Sequence, residues 1–186
     1  MKKQILILTC IGLLGLHEIS GEEQVINKAL IPSTNQIVLK VDGVVCSFCA
    51  YGLEKSISTL PFVEKSLFGG DGVFVDVEKG MITVAINPKE KIDILGTVRA
   101  ITKAGYVARE IHMWVSGYLE VPKEKTLFTD SHYTQAFSLT QKTGETYKPT
   151  SSRNLTLYVL YEVPKKMKKI DFLPVVVIDD GGQISR

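Results

Sequence analysis

Cysteine is scarce in this chain, with three residues in 186, at positions 10, 46 and 49. That excludes a disulfide-stapled fold, because Cys46 and Cys49 have only two residues between them and close too small a loop to staple one. There is no second Cys-x-x-Cys and no histidine pair, so a four-ligand structural zinc site has no donors. Charge of one sign is missing too. With 22 basic and 20 acidic residues the formal net charge is +2, and no basic patch is interleaved with aromatics. Nucleic acid is therefore set aside as a partner. No internal repeat occurs. Beyond the first 21 residues no apolar run is long enough to cross a bilayer, so the mature chain is expected to carry no membrane span. What is present suffices for a core: 45% hydrophobic residues, in a length that holds one ordinary domain or two small ones.

Residues 1–21 read as an export signal. Lys2 and Lys3 form a basic start, Ile5 to Leu16 is mostly apolar, and the small residues Ser20 and Gly21 precede Glu22 and Glu23. The mature protein is accordingly expected in the periplasm or outside the cell. Acylation at Cys10 is disfavoured by Thr9 before it and by the short apolar run that precedes it. Residues 22–34 read as a linker, broken at Pro32, Ser33 and Thr34.

Gln36 to Val41 alternates as a strand, with Ile37, Leu39 and Val41 on one face. Cys49 to Leu60 predicts a helix, since Ala50, Leu53, Ile57 and Leu60 recur at spacings of three and four, and Pro61 cannot continue it. Val73–Val77 and Met81–Ile86 predict a hairpin. Ile92 to Ala104 predicts a second helix stopped by Gly105, and Tyr106 to Val115 a fourth strand. Strand, helix, strand, strand, helix, strand in about 80 residues is the ferredoxin-like split β-α-β order, a four-stranded antiparallel sheet with two helices on one face. Residues 119–186 predict a small all-β region without helix. Its strands are expected at Lys125–Thr129, Gln135–Thr140, Leu155–Glu162 and Ile170–Ile178. About 65 residues are too few for a two-sheet sandwich of the ~100-residue immunoglobulin type, so these strands are expected to pack on the open face of the first sheet.

Between the first strand and first helix stands Gly43-Val44-Val45-Cys46-Ser47-Phe48-Cys49, and the second helix ends in Ala104-Gly105-Tyr106. Residues 35–118 thereby resemble the heavy-metal-associated domain of copper chaperones, periplasmic mercury-binding proteins and metal-pumping ATPases. The signature of that family is Gly-Met-Thr-Cys-x-x-Cys, with Ala-Gly-Tyr or Ala-Gly-Phe at the second helix end. Val44 replaces the methionine that packs near the loop in the family, and Val45 replaces the threonine. Ser66–Gly72 adds residues at the end expected to lie away from the cysteines. The resemblance implies that Cys46 and Cys49 ligate metal, that Tyr106 shields or tunes it, and that a partner thiolate takes the ion through a three-coordinate intermediate. A metal transporter or metal-acceptor protein is the partner so implied.

Two thiolates select soft or borderline ions, and a two-ligand site favours Cu(I) or Hg(II) over Zn(II) and Cd(II). The helix that opens beside them lowers thiol pKa through its N-terminal amides and dipole. Tyr106 also reads as a half-buried packing tyrosine, and Phe48 as a packing or docking residue. Ser47 completes the loop. His112 lies six residues beyond Tyr106, on the order of 20 Å down the strand, and reads as a surface or interface histidine beside Trp114. His132, the Asp179–Asp180 pair and the Lys165–Lys169 run read as solvated.

The expected function is non-enzymatic: a soft-metal carrier or sensor using Cys46 and Cys49. Two such loops sharing one ion would give a metal-bridged homodimer. A thiol–disulfide protein could use the same pair, but the element order is not that of a thioredoxin fold and no proline loop faces the cysteines. The third reading is an interaction module whose working part is the C-terminal β region.

Overall fold

The computed structural model describes residues 30–120, 126–148, 154–166 and 170–180. The export signal, Cys10 and most of the 22–34 linker lie outside the described residues. The first unit comprises β1 (Gln36–Asp42), α1 (Ser47–Ser58), β2 (Val73–Asp76), β3 (Met81–Ala85), α2 (Ile94–Lys103) and β4 (Val107–Glu120). Its strands run antiparallel in the order β2-β3-β1-β4, the ferredoxin-like arrangement expected from the element order.

Both helices start where a side chain satisfies a free amide. Cys46 caps α1, and its sulfur accepts from the Cys49 amide. The helix therefore begins at Ser47, before the expected Cys49. Asp93 caps α2 by accepting from the Gly96 amide at 2.8 Å. That helix begins at Ile94, and Ile92 is used instead in a bridge to Tyr133. Leu53 and Ile57 of α1 and Ile94 and Ile101 of α2 are fully buried against Ile37, Leu39, Ile82 and Val84. Each such side chain contributes about 1.5–3 kcal/mol relative to exposure.

The C-terminal strands are β5 (Leu127–Thr129), β6 (Ala136–Thr140), β7 (Leu155–Glu162) and β8 (Phe172–Asp179). They do not pack on the open face of the first sheet, as the sequence suggested. They join it edge to edge and make one eight-stranded sheet. β7 pairs with β4 from Glu110↔Glu162 to Gly117↔Leu155. The remaining contacts run β4–β5, β5–β6, β6–β8 and β8–β7, so five strands close into a barrel with one parallel pair, β6–β8. The physical reason is the free edge of β4. Its unpaired N–H and C=O groups template another strand, and β7 takes that place.

β4 runs to Glu120, five residues past the expected Val115, because Ser116–Glu120 still finds partners in β7 and β5. Gly117 permits the close approach: a Cβ there would lie 1.9 Å from the Thr129 carbonyl oxygen. Met113, Val115, Phe128, Phe137, Leu157, Val159 and Leu173 fill the barrel and belong to the same core as the helix-covered sheet.

Closure overturns two local expectations. Of the surface and interface readings of His112 the surface one fails, since the residue sits on the seam where β4 meets β7. It is 5% exposed, with Nδ1 2.7 Å from the Tyr158 hydroxyl and Nε2 3.1 Å from Glu110. Asp179 is not solvated either. It is 6% exposed because it ends β8 opposite Tyr158. His132 is largely exposed, as expected, with Nδ1 2.9 Å from the buried Asp130.

Candidate metal centre

Gly43, at φ +95°, turns the chain out of β1 in the left-handed region that favours glycine. Val44 then goes inward and is 6% exposed, so it fills the packing position. Val45 points out at 81% exposure. Cys46 follows as the extended N-cap residue, its sulfur 3.2 Å from the Cys49 amide nitrogen and its carbonyl accepting from Ala50. Both cysteines are free thiols, Cys46 exposed and Cys49 half-buried, with their sulfurs 2.7 Å apart.

The Cys49 thiol is held below its ordinary pKa. The largest cause is the Cys46 thiol, which donates to it; Tyr106 and the amides of the loop add to this, while burial works against it. A thiolate is the form that ligates metal. The donor set fits a soft ion with two ligands, and the fit comes from chain geometry at one helix start.

Tyr106 is placed by the end of α2. Gly105 adopts φ +93°, its amide donates to Thr102 and the Tyr106 amide donates to Ile101. These two bonds form a Schellman cap. The cap sends Tyr106 back across the loop, where its hydroxyl donates to the Cys49 carbonyl at 3.2 Å. Burial, and then Cys49, push the Tyr106 phenol pKa up, so it stays a hydrogen-bond donor. The structure thus brings Cys46, Cys49, Val44 and Tyr106 together in one loop environment.

Ser47 and Phe48 face solvent. Phe48 is 86% exposed and does not pack. Tyr51, which sequence reasoning does not single out, is 56% exposed. A signal for it exists: Tyr51 lies three residues after Phe48, and positions i and i+3 share a helix face. Val45, Phe48 and Tyr51 are exposed apolar side chains close in sequence to the thiols. Among the described residues no group of three or more His, Cys, Asp or Glu is gathered as a metal cluster.

No family model matches the chain, and no curated relative matches it. Among solved structures the chain is similar to the "CopZ metallochaperone", at 23% identity and a TM-score of 0.34, over 39% of this chain and 97% of that one. It is also similar to the N-terminal domain of PacS from Synechocystis PCC6803, at 24% identity and a TM-score of 0.32, over 40% of this chain and 92% of that one. A third structure, titled "Crosstalk between Cu(I) and Zn(II) homeostasis", aligns at 24% identity and a TM-score of 0.33, over 40% of this chain and 94% of that one.

Proposed function

We propose that this protein is a non-enzymatic carrier of a soft metal ion, Cu(I) in the first place, working outside the cytoplasm. The observation that carries the reading is the pair of free thiols at the exposed start of α1, with Cys49 biased toward thiolate. Hg(II) suits the same two-ligand arrangement. Zn(II) and Cd(II) bind more weakly here for want of further ligands.

The ion is cargo. Cys46 and Cys49 hold it through two metal–sulfur bonds. An incoming thiolate from an acceptor forms a third bond. One of the two protein thiolates then leaves and takes up a proton from water, and the second follows when the acceptor supplies its next ligand. No electrons are exchanged in this sequence. Exposure of Cys46 makes it the natural first sulfur to be released, and half-buried Cys49 the last.

The deciding experiment is an anaerobic, competitive Cu(I) titration of the reduced protein beside its Cys46→Ser/Cys49→Ser variant. One tightly held equivalent, absent in the variant, is the expected result. No tight binding by the reduced wild type overturns the copper reading.

The adjacency of two free thiols at a helix start also suits one rival, thiol–disulfide exchange. The reduction potential of the pair separates the two. An oxidising couple active in exchange promotes the redox reading, and a pair that shows no exchange with oxidised glutathione removes it.

A further inference from the structure

The barrel has no role in the reading above, yet the chain leaving β7 shares a groove with Tyr106, which hydrogen-bonds to Cys49. Val163 donates its amide to the Arg109 carbonyl, which extends the β4–β7 seam to the start of β4. There a groove of about 340 Å³ opens between the two units. Tyr106, Val107 and Arg109 line one side, and Val163, Pro164 and Lys165 the other. Tyr106 belongs to both places: its ring lines the groove, and its hydroxyl holds the Cys49 carbonyl.

The groove is apolar along its walls and cationic at its rim. Val107 is 48% exposed. Lys165, which lines the groove, and its chain neighbour Lys166, which does not, are exposed, and neither has an ion-pair partner among the described residues. Nearby carboxylates are turned to other work. Asp42 pairs with Arg109, and Glu110 with Lys40 and His112. Glu162 lies opposite Glu110 across the β4–β7 seam and is not among the residues lining the groove.

We propose that this groove docks an acidic segment with an apolar centre, carried by the protein that exchanges metal with Cys46 and Cys49. The inference rests on the carrier reading and assigns the barrel a part in it. Cations at the rim steer the acidic segment and fix its register, and the apolar walls seat its central side chain. A partner so docked is anchored beside Tyr106, within reach of the thiols. Recognition is thereby divided between β4 of the first unit and the β7 end of the barrel.

The test uses metal-free protein and a five-residue peptide of four glutamates around a central leucine, followed by amide chemical shifts. Shifts at Val107, Arg109, Val163 and Lys165 are expected. The double variant K165E/K166E should bind on the order of tenfold more weakly, since each exposed pair is worth little alone. Its Cu(I) affinity should be unchanged, because neither lysine touches the thiols. A peptide with glutamine for glutamate should show the same loss. Shifts scattered over the surface, or equal binding by the double variant, overturn the proposal. So does lysine-dependent binding to phosphatidylserine vesicles in place of the peptide, which would make the groove a membrane contact. No peptide binding by the wild-type protein, with its Cu(I) binding intact, sinks the groove alone. Groove binding without any Cu(I) binding sinks the carrier reading and the metal-exchange role built on it.

Discussion

The His112 imidazole lies 2.7 Å from the Tyr158 hydroxyl, and that hydroxyl also lies 3.1 Å from the Leu30 carbonyl oxygen as its donor. The chain ahead of β1 is thus tied to the barrel through one phenol. Burial lowers the His112 pKa, and Glu110 opposes that shift in part. The unfolded chain therefore takes up this proton at a higher pH than the folded one. The stability contributed by the neutral imidazole is fully present above the unfolded value of about 6.5 and is lost as pH falls through the lower folded value. The urea midpoint should drop between pH 7 and pH 5, before the carboxylates titrate. In His112→Asn that slope should flatten. An equal slope in the variant would remove His112 as its source.

The Cys46 thiol is the largest influence lowering the Cys49 pKa. In Cys46→Ala the Cys49 pKa should rise, and alkylation of Cys49 by iodoacetamide at pH 7 should slow severalfold. The same change removes the N-cap acceptor of α1, so thermal stability should fall by about 0.5–2 kcal/mol. Tyr106→Phe should slow alkylation less, because Tyr106 is a smaller cause. Rates measured from pH 6 to 10 give the Cys49 pKa directly. An unchanged value in Cys46→Ala would refute the assignment.

Two glycines should respond to alanine with opposite signs. At Gly117 the added Cβ meets backbone of β5 at 1.9 Å, so the β4–β5 seam must shift, at a cost of about 1–3 kcal/mol or more. At Gly52, exposed on α1, a Cβ meets nothing within 4 Å, and alanine should stabilise by about 0.8–1.0 kcal/mol. Thermal melts of both variants check the pair.

Phe48→Ala should leave the melting temperature almost unchanged, within about 0.5 kcal/mol, because the ring packs on nothing. A combined Phe48→Ala/Tyr51→Ala variant should also retain its Cu(I) stoichiometry. A large loss of stability would show that the rings are structural.

Much of the first unit is legible in the sequence because its signals are local. Leu53 and Ile57 mark a helix face, Gly105 marks its neighbour's end, and Cys46 and Cys49 stand where strand gives way to helix. What escapes depends on distant chain. The burial of His112 is decided by Tyr158, 46 residues on. The continuation of β4 through Gly117 depends on Thr129 and Leu155, which offer it partners. The parallel β6–β8 pair leaves no trace in the spacing of either strand. Tyr51 is within reach of sequence reasoning, since its spacing from Phe48 is that of a shared helix face.

β4 serves the helix-covered strands and the barrel at once, and this has a consequence for how the molecule can be taken apart. A fragment ending near Tyr118 keeps the thiol loop but loses β7 along Glu110–Gly117. It is left with a bare eight-residue margin bearing Met113 and Val115, the kind of margin that recruits other chains. The thiol-bearing half is therefore no detachable cartridge. Heating should melt both halves in a single step, and cutting the chain there should yield a sticky fragment.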